Sequence, residues 1–345
     1  MKRHRRVACL TQRLRGRMLA VIAAVALGTS LCSCTRTDRE ASGPPEKVTM
    51  ACATLTEATL VRIAQSRGFF SQEGLETTEH LHRYGKPALK EVLDGTADFA
   101  TVAETPLMLA IMQGADVYVL ATISTSSSGH VILARRDQGV QRLGDLKGKK
   151  IATMPGTTAH LYQDMILALN GLSPMDVQTV GMDVDAMDAA LAAGEVAAVS
   201  TFYPHIAILQ KSLGERLITF HDKDIYTYSF NVVASRGFVR KNPGKVRKML
   251  RGLLKAEAYV REHPAEAQTA MSGFNGADGE IVSKIWGEFT FEVALDQKLI
   301  LQLEDQSRWA NNLGLTRARQ VPNYLDYIYF DGLQSLRPQS VRILR

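Results

Sequence analysis

An approximate internal duplication constrains what this 345-residue chain can fold into. The run Leu89-x3-Leu93-Asp94-Gly95-Thr96-Ala97-Asp98-Phe99-Ala100, with Pro106 downstream, is paralleled by Ala190-Leu191-Ala192-Ala193-Gly194-Glu195-Val196-Ala197-Ala198-Val199, with Pro204 downstream. The two glycines stand 99 residues apart. Upstream, Lys47-Val48-Thr49-Met50 leads to Thr54-Leu55-Thr56-Glu57-Ala58, and Lys150-Ile151-Ala152-Thr153 leads to Pro155-Gly156-Thr157-Thr158-Ala159, with the lysines 103 residues apart. Any two βα units look alike on a glycine alone, but four matched elements in one order point to a protein with two related lobes.

Between these landmarks, β-like runs alternate with helix-like stretches, the signature of an α/β fold with largely parallel sheets. Candidate strands include Lys47–Ala53, Ala97–Thr101, Val117–Thr122, Val131–Arg135, Lys150–Thr153, Ala197–Ser200, Leu217–Phe220 and Ser229–Ala234. Gly68 reads as the cap that ends a helix over Leu60–Arg67, and Asn242-Pro243 as the N-cap and first-turn proline of a helix over Gly244–Glu262.

The formal charge of +6 invites a nucleic-acid reading until it is located. Seven Lys and Arg residues and no Asp or Glu fall in the first 33 positions, so the remainder carries 34 basic against 35 acidic residues. A near-neutral body offers no electrostatic footprint for DNA or RNA. The basic stretch Met1–Arg17 is followed by an apolar run of 14 residues, Met18–Leu31, shorter than the roughly 20 that span a membrane. This is the pattern of a secretory signal peptide. Its end, Leu31-Cys32-Ser33-Cys34, resembles a bacterial lipobox, which makes Cys34 the expected lipidated N-terminus after removal of residues 1–33. Residues 34–45 are polar with Gly and Pro, as suits a flexible tether. Cys9 and Cys32 leave with the signal and Cys34 is acylated, so Cys52 alone remains in the body, where a buried strand position is expected. No disulfide, clustered-cysteine metal site or cofactor is called for.

Further runs carry a family resemblance: Arg67-Gly68-Phe69-Phe70-Ser71-Gln72-Glu73-Gly74-Leu75, Leu93–Phe99, Asp145-Leu146-Lys147-Gly148-Lys149-Lys150-Ile151, Pro155–His160, Gly171-Leu172-Ser173-Pro174, Asn242-Pro243 and Arg308-Trp309-Ala310. In order and spacing they resemble the nitrate/sulfonate/taurine family of ABC-transporter substrate-binding proteins, from about residue 47 to the C-terminus. The resemblance implies a two-lobed α/β fold of the type II periplasmic-binding-protein kind, with a ligand cleft between the lobes. It implies lobe one at 46–131 plus 231–345 and lobe two at 132–230. It further implies a monomer, lipid-anchored on the periplasmic or cell-surface side, that hands a small anionic or zwitterionic solute (sulfonate, taurine, nitrate or carboxylate) to a permease and its ATPase.

In open α/β sheets ligands gather at the carboxyl ends of strands, where helix N-termini present free N–H groups. Thr157 and Thr158 lie at such a place, with His160 one turn on, and Thr54 and Thr56 occupy the equivalent loop of the other half. Capping is the simpler use of each threonine. Glu104 precedes an expected N-cap at Thr105 and first-turn Pro106, and serves either the helix dipole or the pocket, where a carboxylate selects an amino group. Phe202 and Tyr203 stand where many relatives carry Trp-Glu/Asp before the proline, which keeps an aromatic wall and loses an acidic contact. Ser126 and Ser127 at the first crossover, Tyr84 and Tyr228 complete the ligand-site candidates. With no G-x-S-x-G, P-loop, dinucleotide or H-E-x-x-H motif, a non-enzyme is expected. A ligand-sensing lipoprotein and a thiamin-pyrimidine-related protein of the same fold stay open as alternatives.

Overall fold

The computed structural model describes residues 43–272, 274 and 279–345. The basic leader, the apolar run, Cys34 and most of the expected tether lie outside these residues. The described chain builds two large sheets and a two-stranded one that pairs Leu295–Asp296 with Val341–Arg342. To the first go β1 (Glu46–Ala53), β2 (Leu75–His82), β3 (Phe99–Ala103) and β4 (Val117–Ser126). The second takes β5 (His130–Arg135), β6 (Lys150–Thr153), β7 (Gln178–Gly181), β8 (Ala198–Phe202) and β9 (Leu217–Phe220). The chain then returns to the first sheet with β10 (Tyr228–Ser235) and β11 (Phe289–Thr290).

The strand orders are β2-β1-β3-β10-β4-β11 and β7-β6-β8-β5-β9. Three parallel strands open each sheet and the fourth runs antiparallel; that fourth strand is the one that has just crossed over from the other sheet. The duplication read in the sequence extends to register. Met50 and Ala51 pair with Phe99 and Ala100 in one sheet, as Ile151 and Ala152 pair with Ala198 and Val199 in the other. Gly95 and Gly194 end matching helices, Gly85–Asp94 and Val184–Ala193, with φ of 77° and 79°, left-handed values that glycine adopts without steric cost.

Central strands are continuous apolar runs because helices cover both faces, as in β5, where all six residues are buried. Edge strands β2 and β7 carry mixed, half-exposed patterns. Cys52 lies buried in β1, and burial followed by the Glu79 charge pushes its thiol far above the ordinary range, which leaves it inert. The helix Pro243–Glu262 packs on the helices Thr59–Ser66 and Phe69–Gln72, and Gly252 lets it approach the second: a Cβ there would lie 2.5 Å from the Phe70 ring. The expected side-chain N-cap at Asn242 is not formed. Its amide donates instead to Phe238 O (3.1 Å) at the end of the preceding helix, so one residue closes a helix while proline opens the next. Among the described residues no helix is long and apolar enough to cross a membrane.

Candidate functional site

Four parallel strands, β1 and β3 in one sheet, β6 and β8 in the other, end on a shared cavity enclosing about 450 Å³. Leu55, Glu57, Tyr84, Lys86, Pro106, Tyr228 and Phe230 line it from the first sheet's side, and His130, Met154, Thr157, Thr158 and Phe202 from the second's. A concave space that is largely apolar with a few convergent polar groups is the usual form of a small-molecule site.

Glu57 sits in the 3₁₀ turn Thr56–Ala58 that follows β1, pinned by a bond from Ser124 Oγ to its main-chain oxygen (2.9 Å). The Tyr228 hydroxyl donates to Glu57 Oε1 (2.7 Å), and Glu57 Oε2 has no partner among the described residues. Burial pushes this carboxyl up to about 7, against the lowering pull of the tyrosine bond. His130, at the start of β5, stands edge-on to the Tyr228 ring with centroids 4.6 Å apart. Burial brings its imidazole down to about 3, so the ring is neutral at physiological pH, and its Nδ1 also lacks a partner. Lys86 is the one lysine or arginine among the described residues lining the cavity. It also lines a neighbouring cavity of about 570 Å³, which shares Tyr84, Met154 and Thr157 with the first but contains neither Glu57 nor His130.

Gly129 explains how Tyr228 reaches Glu57. A Cβ on Gly129 would lie 2.2 Å from the Tyr228 hydroxyl oxygen, so the first crossover must be bare at this point for the ring to fit.

Glu104 is fully buried behind the cavity wall rather than in it. The helix begins two residues earlier than the sequence suggests, with Ala103 as N-cap and Glu104 as the first helical residue, so Thr105 does not cap it. Ser229 N (2.8 Å) and the Tyr226 hydroxyl donate to the Glu104 carboxylate. Burial raises its pKa despite these donors. Across the cleft, Thr158 Oγ1 reaches Thr105 Oγ1 (3.2 Å) and Glu104 Oε1 (3.4 Å), tying the second lobe to the first. The Trp309 indole N–H donates to Asp164 Oδ2 (2.9 Å), Lys86 Nζ to Pro155 O (3.3 Å), and Arg83 pairs with Asp185.

Of the residues singled out in the sequence, Tyr84, Thr157, Thr158, Phe202 and Tyr228 meet at the cavity. Thr157 occupies the N-cap position of the helix Thr158–Leu169 without capping it; its hydroxyl donates back to Met154 O (2.7 Å). His160 is packed edge-on against Trp309 rather than placed on the cavity. Thr54, Thr56, Ser126 and Ser127 are outside the lining, and Tyr203 lines a separate groove beside Lys284. Sequence reasoning passed over Glu57, Lys86, His130 and Met154. For Glu57 a signal existed, an acid directly after Thr56 in the loop that follows a candidate strand.

A relative from Bacillus subtilis (strain 168), "Putative aliphatic sulfonates-binding protein", is 25% identical over 228 residues, 65% of this chain and 68% of that protein. The alkanesulfonate-binding protein SsuA from Xanthomonas axonopodis pv. citri bound to MOPS superposes with a TM-score of 0.71 at 18% identity, covering 84% of this chain and 99% of that one. The periplasmic aliphatic sulphonate binding protein SsuA from Escherichia coli gives a TM-score of 0.71 at 17% identity, over 83% and 98% of the two chains. Both likenesses establish the periplasmic-binding-protein fold. The family described as NMT1/THI5 like matches residues 56–267, more than half of the chain, and to that family this protein belongs.

Proposed function

We propose that this protein is the solute-binding component of an ABC importer, exported and held at the membrane by a lipid on Cys34, and not an enzyme. One observation carries the reading: the cavity is closed by both sheets at once, so a bound solute touches both lobes and favours their approach. The lobes, divided at about residues 131 and 231, open to admit the solute and close to present it to the permease. Ligand contacts in this reading come from Tyr84, Thr157, Thr158, Phe202 and Tyr228.

The charge distribution favours a zwitterion over a bare anion. Lys86 and the unpaired N–H groups that begin the helix Thr158–Leu169 suit an acidic group, whereas Glu57 repels one once ionised. MOPS, held by the Xanthomonas protein, itself combines a sulfonate with a basic nitrogen.

The test is a thermal-shift screen of purified protein, unfolded and refolded to strip carried-over solute, against aminosulfonates, sulfonates, nitrate, aromatic carboxylates and pyrimidines. A ligand at a hundred times its Kd stabilises by about 2.7 kcal/mol, enough to raise the Tm by a few degrees. A shift confined to one class supports the reading, and silence across the panel rejects it. Uptake into vesicles that depends on this protein separates an importer component from a sensor. A Cys34→Ala variant should leave the membrane fraction.

A further inference from the structure

Two buried polar atoms on residues that line the cavity have no partner among the described residues: Glu57 Oε2 and His130 Nδ1. Their side chains are 3% and 7% exposed, and both line the cavity. A buried polar atom left unpaired costs about 1–3 kcal/mol, so a pair of them on residues that line one cavity marks where a ligand supplies what the protein withholds. Glu57 Oε1 already accepts from Tyr228, and a neutral His130 with its proton on Nε2 has its acceptor at Nδ1, so in that tautomer this end offers one open acceptor on each residue. The three N–H groups of an ammonium diverge tetrahedrally, so no two of them run parallel. A planar cation with N–H groups along one edge uses both acceptors and neutralises the carboxylate. The surroundings are also aromatic: Tyr228 and Phe202 flank the site near the His130 ring, with centroids 4.6 and 6.1 Å from it.

We infer that the Glu57–His130 end of the cleft receives a planar nitrogen cation of the amidine or guanidine type, its N–H groups donated to Glu57 Oε2 and His130 Nδ1. The inference rests on the solute-binding reading and specifies one end of the solute. Lys86, on the cavity wall shared with the neighbouring space, is left for the solute's other end. No bond is made or broken.

Binding of such a cation requires Glu57 ionised, and this carboxyl titrates near 7 in the empty site. The titratable groups around it are Tyr228, bonded to it; His130, edge-on to that tyrosine; Glu104, acting on Tyr228 from behind the wall; and Tyr84 and Lys86, lining the same cavity. His130 stays neutral above about 3, so across neutrality the change falls on the carboxylate.

The experiment is isothermal calorimetry of refolded full-length protein with three probes of one shape: benzamidine, benzylamine and benzenesulfonate. The expected result is at least tenfold tighter binding of benzamidine than of either other probe, lost in Glu57→Gln. Benzamidine affinity in the unaltered protein should also fall about tenfold from pH 8 to pH 6, as Glu57 takes up its proton; this arm holds even where Glu57→Gln fails to fold. Benzenesulfonate binding best, with Glu57→Gln without effect, overturns the inference and leaves the solute-binding reading standing. Equal binding of benzylamine and benzamidine overturns the planar requirement. Failure of all three rejects the inference, while solute binding is then decided by the thermal-shift panel alone.

Discussion

Trp309, in the helix Gln297–Asn312 packed on the first lobe, donates its indole N–H to Asp164 Oδ2 of the second lobe at 2.9 Å, with the His160 ring edge-on to the indole at 5.3 Å. Asp164 is nearly buried, and burial raises its pKa although Trp309 and His160 both oppose the shift. The contact exists only while the lobes are together. Trp309→Phe keeps an aromatic body and removes the donor, leaving a buried carboxyl unmatched in the closed form. Closed-state stability should drop by about 1–3 kcal/mol, hence ligand affinity by roughly tenfold or more. Stopped-flow binding should place the loss mainly in a faster off-rate. An unchanged off-rate would show that this contact does not hold the lobes closed.

The space for Tyr228 depends on an absent side chain. With a Cβ on Gly129 only 2.2 Å from its hydroxyl, Gly129→Ala must displace the ring or the crossover loop. Glu57 then loses its one side-chain donor. Overpacking of this kind typically costs about 1–3 kcal/mol, which urea denaturation would measure, and ligand affinity should fall further than stability does. A variant with unaltered stability and affinity would mean that the loop yields freely.

Much of the fold was legible because both duplicated halves write it twice. Gly95 and Gly194 mark the same left-handed cap, and the apolar runs of β1, β5, β6 and β10 reflect strands covered on both faces. β2 and β7 were harder because an edge strand such as Leu-Glu-Thr-Thr-Glu-His-Leu-His has no apolar run to find. The site was less legible for a different reason. Thr54 and Thr56 are the residue types that bind anions, yet it is their neighbours Leu55 and Glu57 that line the cavity. Glu104 was recognised as an acid with two readings; tertiary packing gives it a third, a buried hub joining Ser229, Tyr226 and Thr158. Both outcomes depend on partners more than a hundred positions away along the chain, or on a helix start from the other lobe, and local pattern contains neither.

Thr157→Ala with Thr158→Ala tests the loop at the head of the helix Thr158–Leu169. The pair loses one bond to Met154 O and the cross-lobe contacts to Thr105 and Glu104. With neutral hydrogen bonds worth about 1 kcal/mol each, stability should fall only slightly, while affinity falls tenfold or more because the lost groups serve closure and the solute together. Calorimetry on the refolded double variant decides it. Full affinity would remove this loop from the site.

Glu57 should also make the empty protein less stable as pH rises. Its carboxyl is raised from 4.5 to about 7, so between those values the folded chain holds a proton that the unfolded chain has released. Stability from this group is therefore full below about 4.5, declines through the interval and levels off above 7. A shift of that size corresponds to about 3 kcal/mol as an order of magnitude. Glu104 and Asp164, also raised by burial, slope the same way, so the wild-type trend alone does not isolate Glu57. Glu57→Gln does, because glutamine keeps the shape and the acceptor for Tyr228 without titrating. Denaturation curves at pH 5 and 7.5 should show a smaller loss of stability in Glu57→Gln than in the unaltered protein. Identical losses in the two proteins would place the Glu57 titration outside this interval.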